Sequence, residues 1–376
     1  MRFAEIPGLA KVKNELIQTV SSGRIPHAHL FYGEDGGGSL PMALAYAQYL
    51  TCDSPLKDDS CGVCPPCKQH QTISYPDLHF SFVSGKKDGV KVASSSNFLA
   101  EWRKMLQKSP FCTSSQWLLA MGLENKNLQI GVDEAKTILA DFSLKSYSGN
   151  KKILVLWMPE AMHRSAANKL LKFIEEPLNG SVIILVSHNQ ERVLPTILSR
   201  VQQTRVPQHS FSEIVNHLIQ KENKSQEEAE IAALAAHGNL SEALEIVSNP
   251  EREMGFAENF VKWMRFAVMA NLPELIRFSE TVGKKDKDSV KGFLRFSLKM
   301  VDHCLQLRYL SKPTGDAIFE SVGFKIEKFA PYITPKNAPI FYTEINKAIH
   351  DIEGYGNVKL ILLDTSVEVS KALRIK

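Results

Sequence analysis

The sequence predicts an α/β domain built on a largely parallel sheet, followed by regions that are helical throughout. Three observations carry this reading. Up to about Pro207, short apolar runs such as KKILVLW and SVIILV alternate with stretches of helical periodicity. Those runs are continuously apolar, as expected of strands covered by helices on both faces. Beyond Pro207 the strand signals stop and helical patterns continue. At 376 residues the chain is long for one core, so two or three domains are expected.

The elements follow in order. Leu9, Val12, Leu16, Ile17 and Val20 give residues from about 8 to 22 the spacing of a helix, and HLFYG is a short buried strand. A helix is expected from about 40 to 50, and DLHFSFV is a second strand. A polar stretch over 84–96, rich in Lys, Gly and Ser, reads as a mobile loop or insertion. GVDEAKTILADFSL is an amphipathic helix, KKILVLWM a strand, SAANKLLKFIEE a helix stopped by Pro177, and SVIILVS another strand. Three short helices then span 208–249, with turns at 223–225 and 238–239. Long amphipathic helices dominate 250–376. The expected division is an α/β domain over 1–207, a small helical domain over 208–249 and a helical C-terminal domain over 250–376.

Composition is ordinary for a globular protein, with 44% hydrophobic and 23% charged residues. A net charge of +4 permits contact with nucleic acid without demanding it. MRFAEIPGLAKVK has no apolar core of signal-peptide length, and the strongest apolar runs are far too short to span a bilayer. A cytosolic chain is the expectation.

Two local features carry chemistry. In LFYGEDGGGSLPMALAYAQYL a strand meets a glycine-rich turn and then a helix, the layout of a loop whose backbone N–H groups cradle phosphate. Against the pattern G-x-x-x-x-G-K-[ST], Gly33 and Gly38 are in place. Ser39 stands where lysine belongs, and Leu40 where the Mg²⁺-binding hydroxyl belongs. Further on, TCDSPLKDDSCGVCPPC spaces Cys52, Cys61, Cys64 and Cys67 as C-x8-C-x2-C-x2-C. Four thiolates would complete a closed tetrahedral Zn²⁺ site that is structural, with no open position for substrate. Unligated cysteines or a disulfide pair are the bland alternative. His70 is a possible substitute ligand, and Cys112 and Cys304 read as ordinary buried thiols.

The chain resembles the delta-prime family of bacterial DNA polymerase III clamp-loader subunits, within the AAA+ superfamily. The residues that carry the likeness run in order: GRIPHAHLFYG before the glycine turn, the four-cysteine insertion after it, YPDLHF, SAANKLLKFIEEP and VLPTILSRVQ, where Val201 replaces a family cysteine. The resemblance implies an AAA+ P-loop-type domain with an inserted zinc module at about 52–67, a small helical lid and a helical collar domain. An ATPase of this class needs a P-loop lysine and hydroxyl, and an acidic pair after the next core strand. Aligned on AAN, that pair falls on Trp157 and Met158, with Glu160 beyond the register. A lid arginine expected in G-x-x-x-R-A-L is replaced by Glu242. With these elements missing together, hydrolysis is expected to be absent; Glu34, Asp35 and Glu242 would repel phosphate, so ATP is not expected to bind.

Arg200, inside TILSRVQ, is different. By resemblance it would reach into the ATP site of a neighbouring motor subunit as an arginine finger supplied in trans. A surface or salt-bridged arginine is the plain alternative. The implied role is a non-hydrolysing stator in a five-subunit ring, beside gamma/tau-type motor subunits and a delta subunit, helping to place a sliding clamp on primed DNA. Two rival classes are an active AAA+ motor ATPase and a free-standing zinc-dependent nucleic-acid-binding protein.

Overall fold

The computed structural model describes residues 1–86, 93–123, 128–148, 151–307, 323–354 and 356–375. Half of the polar 84–96 stretch, residues 87–92, therefore lies outside the described residues. Packing divides the chain into two compact units. The first comprises 1–223 with 236–243, and the second 224–235 with 244–376.

The first unit is an α/β layer structure. Among the described residues, β1 (Ala28–Tyr32), β2 (Leu78–Ser81), β3 (Ile153–Trp157), β4 (Val182–Ser187) and β5 (Gln202–Arg205) form one sheet in the order β2-β3-β4-β1-β5. Every pairing is parallel. All residues of β3 and β4 are buried, the burial on both faces that their unbroken apolar runs implied.

The expected helices are present as α1 (Ala10–Ser21), α2 (Ser39–Leu50), α6 (Val132–Ser143) and α7 (Arg164–Glu175). α7 stops just before Pro177, and its apolar stripe, Ala167, Leu170 and Ile174, is buried. α3 (Pro65–Gln71) follows the cysteine cluster.

β5, α4 and α5 are among the elements that escape the sequence pattern. β5 is an edge strand in which only Thr204 is buried, so it shows no apolar run. The polar pair His29 Nε2 and Thr204 Oγ1, 2.8 Å apart, joins it to β1. Burial lowers the pKa of His29 to about 4, which keeps the ring neutral inside the sheet. α4 (Leu99–Lys108) and α5 (Ser114–Met121) lie between the second and third strands. They bring the buried Trp102 and Trp117 against Phe82, at ring distances of 4.4 and 4.8 Å. The indole N–H of Trp117 donates to the Val83 carbonyl at 3.0 Å.

The second unit is helical among its described residues. Helices Pro250–Met269, Leu272–Val282, Lys287–Leu307, Ala338–Glu353 and Val358–Ala372 enclose one apolar core that includes Phe260, Trp263, Phe293 and Phe341. The Trp263 indole donates to Ser366 Oγ at 2.8 Å, so the largest core side chain buries no orphan donor. Cys304 lies inside this core as an apolar filler. The expected α/β class and the cysteine cluster are present, and the described residues of the C-terminal region are helical.

Candidate functional site

In an open α/β sheet, ligand crevices form outside the carboxyl ends of the strands. Here the carboxyl ends of β1, β3 and β4 lie side by side, with Tyr32 opposite Ser187 and Trp157 opposite Val186. The glycine turn leaves β1 at Gly33, whose N–H donates to the Ser187 carbonyl at 3.2 Å. It enters α2 through Gly38. Almost the whole of α2, from Ser39 to Tyr49, is buried, so this helix belongs to the core on all sides.

Several of the site residues read from the sequence lie on this turn or just beyond β3. Ser39 is buried, and a Cβ placed on Gly33 would come within 2.8 Å of its hydroxyl. Leu40 is buried and offers no ligand. Trp157 is fully buried, its ring 5.1 Å from Trp102 and 5.3 Å from His188. A core aromatic thus stands where the resemblance expects the first acid, and Met158 follows in a left-handed conformation (φ 64°). Glu160 turns back and accepts the His188 backbone N–H at 2.9 Å. Glu34 is exposed.

Asp35 does not wait for a ligand. Its carboxylate accepts the Ser114 N–H at 2.9 and 3.0 Å and the Ser114 hydroxyl at 2.5 Å. It also meets His188 Nδ1 at 2.5 Å. Burial alone would raise the Asp35 pKa, but His188 and Ser114 outweigh it and hold the carboxyl below its usual value. Burial likewise pushes His188 down, yet the bond to Asp35 and its charge leave the imidazole raised. Both shifts favour a charged pair.

The turn is also covered from outside. Asn239 Nδ2 donates to the Asp35 carbonyl at 2.7 Å, and the Ser241 N–H donates to the Gly36 carbonyl at 3.2 Å. Gly36 has φ +80°, and a Cβ there would lie 2.7 Å from Ser241, 2.8 Å from Thr113 and 2.9 Å from Asn239. Glycine is therefore required twice, by conformation and by crowding. Glu242 is half-buried at the start of the helix Leu240–Ser248, its N–H capped by Asn239 Oδ1 at 3.2 Å.

The four cysteines are brought together as their spacing implied. All are free thiols, and their Sγ atoms lie within 4.8 Å of one another. Cys52–Cys64 and Cys61–Cys67 are each 3.9 Å apart. A tetrahedral site with metal–sulfur bonds of 2.3 Å has edges of roughly 3.8 Å, so this group could hold a metal ion. The Cys61 sulfur accepts the Cys64 N–H, and the Cys52 sulfur accepts the Cys61 N–H, both at 3.3 Å. His70 is elsewhere: its Nε2 pairs with Thr51 Oγ1 at 2.8 Å and its ring stacks on Tyr75 at 4.7 Å. Burial drives its pKa to about 3, as suits a neutral core histidine.

Arg200 follows the short helix α8 (Pro195–Leu198). Its Nε donates to Glu175 Oε2 at 2.8 Å, and Nη1 donates to the Thr196 carbonyl at 3.0 Å and Ser199 Oγ at 3.2 Å. The side chain stays one-third exposed.

His188, Ser114, Asn239 and Ser241 are the residues that sequence reading passed over. Asn239 and Asp35 are separated by 204 positions, and no local spacing announces such partners. His188 alone carried a signal, as a polar residue directly after a buried parallel strand.

With this geometry in place, comparison with known proteins is informative. A family model described as "DNA polymerase III, delta subunit" matches residues 8–210, more than half of the chain. The chain is 29% identical over 187 residues to the DNA polymerase III subunit delta' of Pseudomonas aeruginosa, covering 49% of this chain and 45% of that protein. It is 26% identical over 254 residues to the subunit delta' of Bacillus subtilis, covering 67% of this chain and 62% of that protein. The match thus spans about half to three-fifths of these relatives' length. The DNA polymerase III subunit tau of Escherichia coli is 23% identical over 249 residues, 65% of this chain and 32% of that protein. The chain belongs to this DNA polymerase III subunit family and is of the delta-prime type.

Proposed function

We infer that this chain is the non-hydrolysing stator of a DNA polymerase III clamp loader, helping to load a sliding clamp onto primed DNA. The observation that carries the reading is the self-occupied crevice: Asp35 is paired with His188 and Ser114, while Thr113, Asn239 and Ser241 crowd Gly36. A phosphate there would meet no lysine, a buried Ser39 and Leu40, and a carboxylate already committed. Trp157 supplies packing where a metal-binding acid would be needed. These features support absence of ATP hydrolysis and of ATP binding in cis.

In this reading Arg200 serves a neighbouring motor subunit's ATP site as a finger in trans. The partners are gamma/tau-type motor subunits and a delta subunit, with the clamp and DNA reached through the assembly. The cysteine group holds one structural Zn²⁺. By role, 1–207 is the AAA+-like domain, 208–249 the lid and 250–376 the collar. A cytoplasmic, replisome-associated location follows from that role, and no helix among the described residues is long and apolar enough to cross a membrane.

The test has two arms. The isolated chain should show no Mg²⁺-dependent ATP binding by calorimetry; tight binding would defeat the reading. In a complex reconstituted with motor and delta subunits, Arg200→Ala should assemble normally. Hydrolysis at the one adjacent site should slow by roughly 10³-fold, and the total rate should fall by that site's share. An unchanged rate in a complete complex removes the finger role.

A further inference from the structure

The finger reading leaves open how a flexible, one-third-exposed arginine is aimed. A guanidinium has five N–H donors in a fixed fork. In Arg200 the Nε proton goes to Glu175 Oε2 at 2.8 Å, and Nη1 is turned toward the Thr196 carbonyl and Ser199 Oγ. Among the described residues nothing accepts from Nη2. Nε and Nη1, on opposite sides of the group, are thus both held, and Nη2 is left to donate elsewhere. Glu175 is the last residue of α7, a helix whose buried face packs on α6, with Phe173 5.1 Å from Phe142. The acceptor that grips Arg200 therefore stands on a rigid element 25 residues away in sequence.

The pair is too exposed to matter for folding, since Glu175 is about half exposed and such pairs are screened by solvent. Its effect is geometric. Holding the side chain before assembly removes rotamer freedom that would otherwise be lost when the neighbour's phosphate is met. A charge misplaced by about 1 Å can cost roughly 10² in rate. We propose that Glu175 is a positioning residue for Arg200, fixing the guanidinium so that its Nη2 edge faces the neighbouring subunit's transferring phosphoryl group. The proposal rests on the trans-finger reading above.

An opposing effect exists: the Glu175 carboxylate also subtracts from the positive charge that the phosphate meets. The two effects predict opposite signs, so measurement separates them. The experiment is single-turnover ATP hydrolysis by the reconstituted complex with primed DNA and clamp, following the phase that Arg200→Ala slows. Glu175→Ala should slow that phase roughly tenfold at saturating ATP, with ATP affinity and assembly unchanged. Glu175→Gln, which keeps an acceptor for Nε, should restore most of the rate. In the Arg200→Ala background, Glu175→Ala should have no further effect. If Arg200→Ala slows the phase while Glu175→Ala leaves it unchanged or faster, the positioning role is overturned and the finger survives. If Arg200→Ala changes nothing, the finger reading itself is lost.

Discussion

At the scale of single residues, the crevice shows how a site is closed by its own side chains. Asp35 and His188 are shifted in opposite directions, and each shift gives its own pH signature. The depressed Asp35 contributes stability above the unfolded carboxyl value of 3.8, lost as pH falls through its lower folded value. The raised His188 contributes fully below its unfolded value of 6.5, and that contribution is lost as pH rises through its higher folded value. The pair is therefore worth most between about pH 4 and pH 6.5. Asp35→Ala should destabilise the first unit by ~2 kcal/mol in that window, because it also strands the Ser114 N–H. The penalty should shrink toward pH 9. Denaturant melts of wild type and variant across this range check it; a penalty flat with pH would mean the pair is not charged.

At the scale of elements, legibility followed the apolar pattern. β3 and β4 were plain in the sequence because burial on both faces demands unbroken apolar runs. β5 was invisible because an edge strand with one buried residue needs no such run. α4 and α5 were passed over because their anchors are two tryptophans gathered by distant partners, which a short apolar stripe does not advertise. The glycine turn was legible as a turn, while its contents were not: its ligands in this molecule are Ser114, His188, Asn239 and Ser241, scattered over two helices and two loops. The cysteine module sits at the other extreme, since its geometry follows from spacing alone. Four sulfurs within 4.8 Å of one another, two pairs of them 3.9 Å apart, are poised for a metal at distances no disulfide shows. Protein purified under reducing conditions should carry about one zinc per chain by elemental analysis. Stripping it should lower the melting temperature and expose α3 to protease, because no metal then ties Cys67, in the helix, to Cys52 and Cys61. Metal-free protein with unchanged melting would remove the metal assignment.

At the scale of the whole molecule, the two compact units interleave along the chain, since 224–235 belongs with the second and 236–243 returns to the first. The returning segment matters chemically, for it supplies the Asn239 and Ser241 contacts that cover Gly36. Each unit nevertheless has its own apolar core, one around the buried sheet and one around Phe260 and Trp263. Separate cores imply separate unfolding free energies, so the chain should not melt as one two-state body. Phe260→Ala should cost ~3–5 kcal/mol, and Ile184→Ala, in the fully buried β4, about 2–5 kcal/mol. Calorimetry should show Phe260→Ala lowering one transition and Ile184→Ala the other. Hydrogen exchange should place the two losses in 244–376 and in the sheet respectively. The double variant should show both losses undiminished, because additivity holds for sites that share no partners. Were a single transition to move under either substitution, the two cores would be one cooperative unit, and a rigid surface in the first unit would depend on the helices of the second.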